Sequence, residues 1–207
     1  NGFGKTQIIT ALPLDLAKRR ENLFAPQVPL YSKVIAVSTS LYDSFDVPKN
    51  SVGFNYVYCG LACGKKDNKT ILAPKELKLK LLQTIKTING RERAESLKNI
   101  LSPLYSADII SALFTIQEEK IKVNQARLVE IVDYMSSGES SLLFIFCNIV
   151  ANIRYDSLIL FDEPETHLHP NAITSLMSSI YQLLDEYQSY AIIVTHSPLI
   201  IREMRST

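Results

Sequence analysis

The sequence predicts an α/β fold, with a mostly parallel core sheet interrupted by a helical subdomain. Three observations point there. Two short apolar runs, Leu158 to Phe161 and Ala191 to Val194, end abruptly in polar residues that carry chemistry. Such runs suit strands buried on both faces of a parallel sheet. A glycine–lysine–threonine near the start leads straight into an apolar segment, Gln7-Ile8-Ile9-Thr10-Ala11-Leu12. Between these ends, residues 75–133 change to helical apolar spacing.

Composition narrows the class. A chain of 207 residues can bury one substantial core, or one core and a smaller lobe. With 46% hydrophobic and 21% charged residues it reads as globular and not disordered. A net charge of +1 does not announce a nucleic-acid binder. Three cysteines do not form a disulfide framework. Cys59 and Cys63 also lack the spacing and histidine neighbours of a zinc site. No apolar run approaches the ~20 residues of a membrane span. With no signal peptide, the expected setting is a reducing cytoplasm, away from membranes.

Taken in order, the chain opens on Asn1-Gly2-Phe3-Gly4-Lys5-Thr6. This matches the second half of a phosphate-binding P-loop, whose first glycine and feeding strand would precede residue 1. The fold is therefore expected to be incomplete at both ends. Gly2 and Gly4 would let backbone N–H groups approach phosphate. Lys5 would reach the β- and γ-phosphates, and the Thr6 hydroxyl would ligate Mg2+. Residues 5–12 read as a short helix facing the anion with its N-terminus.

Pro13, Pro26 and Pro29 punctuate a solvated stretch, and Lys33 to Ser38 is an expected strand. Phe54 to Gly60 is another, followed by a charged turn from Gly64 to Asn68. Several helices follow, broken near Asn89-Gly90 and Ser102-Pro103. Lys75, Lys78, Lys80, Lys86, Arg91 and Arg93 cluster there and read as a solvated helix face rather than a DNA patch. Ser136-Ser137-Gly138-Glu139, ahead of a long apolar run, marks a helix N-terminus with serine available as the cap. Such an N-terminus can receive phosphate.

The run Ser157-Leu158-Ile159-Leu160-Phe161 then ends in Asp162-Glu163. Acids at a strand's C-terminal end sit where open α/β sheets bind ligands. Asp162 is placed to hold Mg2+, and Glu163 to orient or deprotonate an attacking water, the Walker B arrangement. After Pro170 a helix carries Ile173, Leu176, Met177, Ile180, Leu183, Leu184 and Tyr187 on one face. Tyr190 to Thr195 is a second buried strand, ending in His196, whose imidazole could reach a γ-phosphate. His167 and His169 have no third ligand nearby, so loop or interface roles are expected of them.

Together these segments resemble the ABC-type ATPase superfamily of P-loop NTPases, in its non-transport, DNA-associated branch. Gly4-Lys5-Thr6 matches the end of Walker A, Ser136 to Glu139 the signature motif, Leu158 to Glu163 Walker B, and His196 the switch histidine. The phrase Asp162-Glu163-Pro164-Glu165-Thr166-His167-Leu168-His169-Pro170 is similar to OLD-family and related AAA/ABC ATPases. Val34 to Asp43 and Tyr56 to Leu61 look like the PtuA-type ATPases of Septu antiphage systems, which work with an HNH nuclease. Two departures stand out. No glutamine fits the Q-loop, Gln27 lying in a proline-flanked loop, and the D-loop differs from that of transporters.

The resemblance implies an ATPase core in residues 1–74 and 134–207, with a helical subdomain in 75–133. It implies ATP and Mg2+ as cofactors. Asn1, Gly2, Gly4, Lys5 and Thr6 would cradle the phosphates of one site. Ser136, Ser137, Gly138 and Glu139 of a second copy would close over them, making a homodimer head-to-tail across ATP and allowing higher oligomers. Glu163 and His196 would be the catalytic pair, with Thr6 and Asp162 on the metal. The implied partner is an HNH-type nuclease, with DNA or RNA engaged and no membrane. The competing expectations are an SMC-like DNA-bridging or repair ATPase and a transporter subunit.

Overall fold

A computed structural model describes residues 4–17, 29–39, 45, 55–63, 70–166 and 168–204. Of the expected features, Asn1, Gly2, Gln27, His167 and the turn from Gly64 to Asn68 lie outside these. The chain divides into two compact units: residues 1–71, 153–166 and 187–196, and residues 72–152, 167–186 and 197–207.

The first unit is built on a four-stranded parallel sheet. Its strands are β1 (Lys33–Ser38), β2 (Tyr56–Tyr58), β7 (Ser157–Asp162) and β8 (Tyr190–Val194), in the order β2-β1-β7-β8. Every residue of β7 is buried, which is why it reads as an unbroken apolar run and not an alternating one. The register aligns the strand ends: Ser38 lies opposite Asp162, and Asp162 opposite Val194. Three strands therefore deliver their last residues to one edge. Val34, Ala36, Leu158, Leu160 and Val194 pack with Ile9 and Leu16 of helix α1 (Lys5–Ala17) into one apolar cluster. A short hairpin, β3 (Ala62–Cys63) and β4 (Thr70–Ile71), completes the unit. Gly60 has a steric reason to be glycine, since a Cβ there would sit 2.6 Å from the Ser38 carbonyl oxygen.

α1 runs past the expected end at residue 12, with Pro13 inside it. A proline removes one helical hydrogen bond. Beyond it Leu16 is only 5% exposed in the core cluster, and burying that side chain carries the helix onward.

The second unit holds α2 (Pro74–Gly90), α3 (Ala94–Leu101), α4 (Ala107–Leu113), α5 (Gln125–Tyr134), α6 (Ser137–Asn152), α7 (Pro170–Tyr187, its last residue in the first unit) and α8 (Pro198–Glu203). It thus takes in α6 and most of α7 as well as residues 75–133. Leu77, Leu81, Ile85 and Ile88 form the buried stripe of α2, at spacings of four and three. Leu79, on the opposite face, is 56% exposed.

One element contradicts the all-helical expectation for this region. Phe114–Gln117 (β5) and Lys120–Val123 (β6) form an antiparallel hairpin. Its two turn residues, Glu118 and Glu119, have φ of 52° and 61°. A two-residue turn with both φ positive ordinarily calls for Asn-Gly or Gly-Gly. Two glutamates send no such signal, so the hairpin is silent in the sequence.

Three members of the basic cluster have structural partners. The Lys78 ammonium pairs with Asp133. Arg91 Nη1 donates to the Ala151 carbonyl at 2.6 Å, and Arg93 Nη1 to the Val150 carbonyl at 2.7 Å. Helix α6 has no basic residue in its own last turn. The loop between α2 and α3 supplies two guanidinium groups to its C-terminal carbonyls, where the helix dipole favours cations.

Candidate functional site

The edge where β1, β7 and β8 end collects the candidate residues of the first unit. α1 begins there: Ile8 N–H donates to the Gly4 carbonyl at 3.0 Å as the first helical bond. The N–H groups of its first turn have no intrahelical acceptor, and the helix dipole adds partial positive charge. Lys5 Nζ donates to the Thr195 carbonyl at 3.3 Å, one residue past β8. This ties the helix N-terminus to the sheet edge. A Cβ added at Gly4 would meet nothing within 4 Å. The fold itself makes no demand for glycine there, leaving any demand to a ligand. Thr6 lies in α1, but its side chain is outside the described residues.

Asp162 closes β7 and is 5% exposed. Glu163 follows in a left-handed conformation, φ 47°. It also precedes Pro164, whose ring pushes the preceding residue toward extended values. Both features cost energy, of order 1–3 kcal/mol for a residue in a sparsely populated region. The surroundings hold it there. Glu163 N–H donates to the Val194 carbonyl at 2.8 Å, and Thr39 Oγ1 donates to the Glu163 carbonyl at 3.2 Å. The turn throws the Glu163 carboxylate toward His196, with Nε2 and Oε1 3.4 Å apart. Thr166 Oγ1 reaches its other oxygen at 3.5 Å. The two acids, Lys5 and His196 thus share one edge. Thr39 and Glu165 join them unforeseen: the Glu165 carboxylate accepts a hydrogen bond from Thr195 Oγ1. Thr39 carried no signal, since a threonine just past a strand is common. Glu165 stands in the Asp162 to Pro170 phrase, where the sequence assigns it no task.

The donor set suits a magnesium–nucleotide pair. Asp162, Glu163 and Glu165 outnumber the Lys5 ammonium at this edge, so a bare triphosphate would meet net negative charge. A divalent cation arriving with the phosphates reverses that. Among the described residues, no group of three or more His, Cys, Asp or Glu could hold a metal alone.

Ser136 to Glu139, the expected signature residues, belong to the second unit. Ser136 precedes α6 as its cap: its Oγ accepts from Glu139 N–H at 3.3 Å, while Glu139 Oε2 accepts from Ser136 N–H at 2.9 Å. This reciprocal pair is a capping box. Buried Tyr105 donates its hydroxyl proton to the Glu139 carbonyl at 2.7 Å, fixing the first turn from below. Ser137 is exposed beside Gly138, and the turn lines a cavity of about 580 Å³ together with Tyr105 and His169. His169 Nδ1 accepts from Asn171 N–H at 3.4 Å, a local turn bond at the start of α7.

No described helix is long and apolar enough to cross a membrane. Protein ea59 of Escherichia phage lambda is 27% identical to this chain over 239 residues, an alignment covering 99% of this chain and 45% of that protein. The chain therefore spans less than half the length of that relative. The profile of the family described as "AAA domain, putative AbiEii toxin, Type IV TA system" matches residues 3–202. With a parallel sheet whose edge gathers Lys5, Asp162 and Glu163, and with this match over nearly its whole length, the chain belongs to this family of AAA-type P-loop ATPases.

Proposed function

We propose that this chain is an ATP-hydrolysing head that dimerises head-to-tail around ATP and governs a partner nuclease in antiphage defence or DNA processing. The observation that carries the hydrolase part is the meeting of Lys5, Asp162, Glu163 and His196 at one sheet edge through Thr195, Val194 and β7. In this reading Lys5 and the first N–H groups of α1 bind the phosphates. Asp162 and Thr6 would hold Mg2+, which when bound offsets phosphate charge. Glu163 takes the proton of the attacking water, and His196 donates a hydrogen bond to the transferred phosphoryl.

Support for the dimer comes from the second unit. Its serine–glycine turn is exposed at a helix N-terminus, open to a second copy's phosphates. The nuclease and defence parts lean on the resemblance of Asp162 to Pro170 and of Tyr56 to Leu61 to defence ATPases. They also lean on a family description that names a type IV toxin–antitoxin system. Among the described helices α7, at 18 residues, is the longest, so nothing there supplies the arms of a DNA-bridging clamp.

Nucleotide titration with Lys5→Ala tests the core of this. Removing a charge-assisted contact to phosphate should weaken ATP binding about 10- to 100-fold and abolish ATP-dependent dimers in light scattering, with an unchanged circular dichroism spectrum. Wild-type ATP affinity in Lys5→Ala would remove the phosphates from this edge.

A further inference from the structure

We propose that Glu165 is a positioning residue that holds the Thr195–His196 loop in place once a triphosphate has drawn Lys5 away. This rests on the ATPase reading above. Besides the His196 contact with Glu163, two bonds of Thr195 tie the loop down. One is the Lys5 ammonium on the Thr195 carbonyl, at 3.3 Å. The other is the Thr195 hydroxyl on Glu165 Oε1.

The two tethers differ in their fate. Lys5 is the group the nucleotide recruits: its ammonium turns from Thr195 to phosphate, and the first tether is lost when the loop must be in register. Glu165 is held on a different line. It lies on the tight turn after β7, where Thr166 N–H donates to the Glu163 carbonyl at 3.1 Å. That turn is pinned to β8 by Glu163 N–H on the Val194 carbonyl, at 2.8 Å. Glu165 therefore grips the loop from the strand that carries Asp162 and Glu163. The grip sets the His196 imidazole against the water-activating carboxylate.

A second feature marks Glu165 as more than a surface acid. Its Oε2 is buried and has no hydrogen-bond partner among the described residues. A buried carboxylate oxygen left unmatched is costly, and natural proteins rarely keep one without a use. The anchor on Thr195 needs only one acceptor, which an amide at this position would supply as well.

The test compares Glu165→Leu, Thr195→Val and Glu165→Gln by steady-state phosphate release, and by NMR of the histidine ring signals without nucleotide. The chain has three histidines, and loss of one signal in His196→Gln assigns the site. Glu165→Leu and Thr195→Val should each lower kcat about 10- to 100-fold with KM within about threefold, because the tether acts after binding. Both should move the His196 signal and leave the other two in place. Combining them should cost no more than either alone, as expected of two ends of one bond. Glu165→Gln still accepts from the Thr195 hydroxyl and should keep the His196 signal and most of the turnover.

An unmoved His196 signal in both Glu165→Leu and Thr195→Val overturns the proposal. So does a Glu165→Gln that loses as much turnover as Glu165→Leu. If the wild-type protein hydrolyses no ATP, the ATPase reading fails by itself, and the histidine signals still decide whether Glu165 holds the loop.

Discussion

Replacing Glu163 by glutamine separates chemistry from folding at this edge. Glutamine keeps the length and shape of the side chain and can stay within reach of Thr166 and His196. It cannot accept a proton from water. A positioned general base contributes about 10²- to 10⁴-fold, or about 3–5 kcal/mol of barrier. The effect on stability is much smaller. The Glu163 and His196 side chains are 37% and 52% exposed, so their contact is solvent-screened and adds little. The left-handed backbone at φ 47° is a cost that glutamate and glutamine bear alike. Thermal unfolding should therefore shift by no more than about 2 °C, while phosphate release falls at least about 100-fold. Fluorescent-nucleotide titration should show retained ATP binding, and light scattering should show dimers that persist with ATP. Turnover within about threefold of wild type would take Glu163 out of its role. A loss of turnover accompanied by a drop of more than about 5 °C would mean that the turn, and not the proton, had been broken.

Two further outcomes follow from packing and burial. Arg91→Ala and Arg93→Ala each strip a guanidinium from the last carbonyls of α6 and should each destabilise by about 1 kcal/mol, read as a fall of about 2–4 °C in thermal unfolding. Lysine at either position should recover only part of this, since it lacks the planar fork. Burial in an apolar pocket pushes the Cys59 thiol up from 9.0 to about 12, against the weaker opposing pull of Lys33. The thiol is buried neutral, so its contribution to stability is whole below pH 9 and is lost as pH rises from about 9 toward 12. Native alkylation at pH 8, followed by mass spectrometry, should leave Cys59 and buried Cys147 unmodified until denaturant is added. Rapid labelling of Cys59 in the folded protein would contradict its burial.

How much was legible in the sequence depended on whether a pattern had a local cause. β1 and β7 could be read to the residue, because burial on both faces demands unbroken apolar runs and a polar residue ends them. The start of α6 was legible because serine caps and glutamate returns the cap within four residues. The β5–β6 hairpin was not, because glutamates occupy turn positions that glycine or asparagine would announce. Helix α1 outran its proline because Leu16 found a core that no local rule could foresee.

By itself, the sequence determined which groups are the candidates for the chemistry: a lysine after glycine, two acids at the end of an apolar run, an imidazole after another. Tertiary structure decided how they stand together. Parallel pairing of β7 with β8 brings Asp162 beside Val194, 32 positions further along the chain, and the left-handed turn at Glu163 aims its carboxylate at His196. The sheet also gave Thr39 and Glu165 their places, and packing in the second unit turned Arg91 and Arg93 into caps for α6. The physical reason is that residue type is set by local chemistry, whereas proximity is set by which strands share hydrogen bonds, and that is a property of the whole sheet.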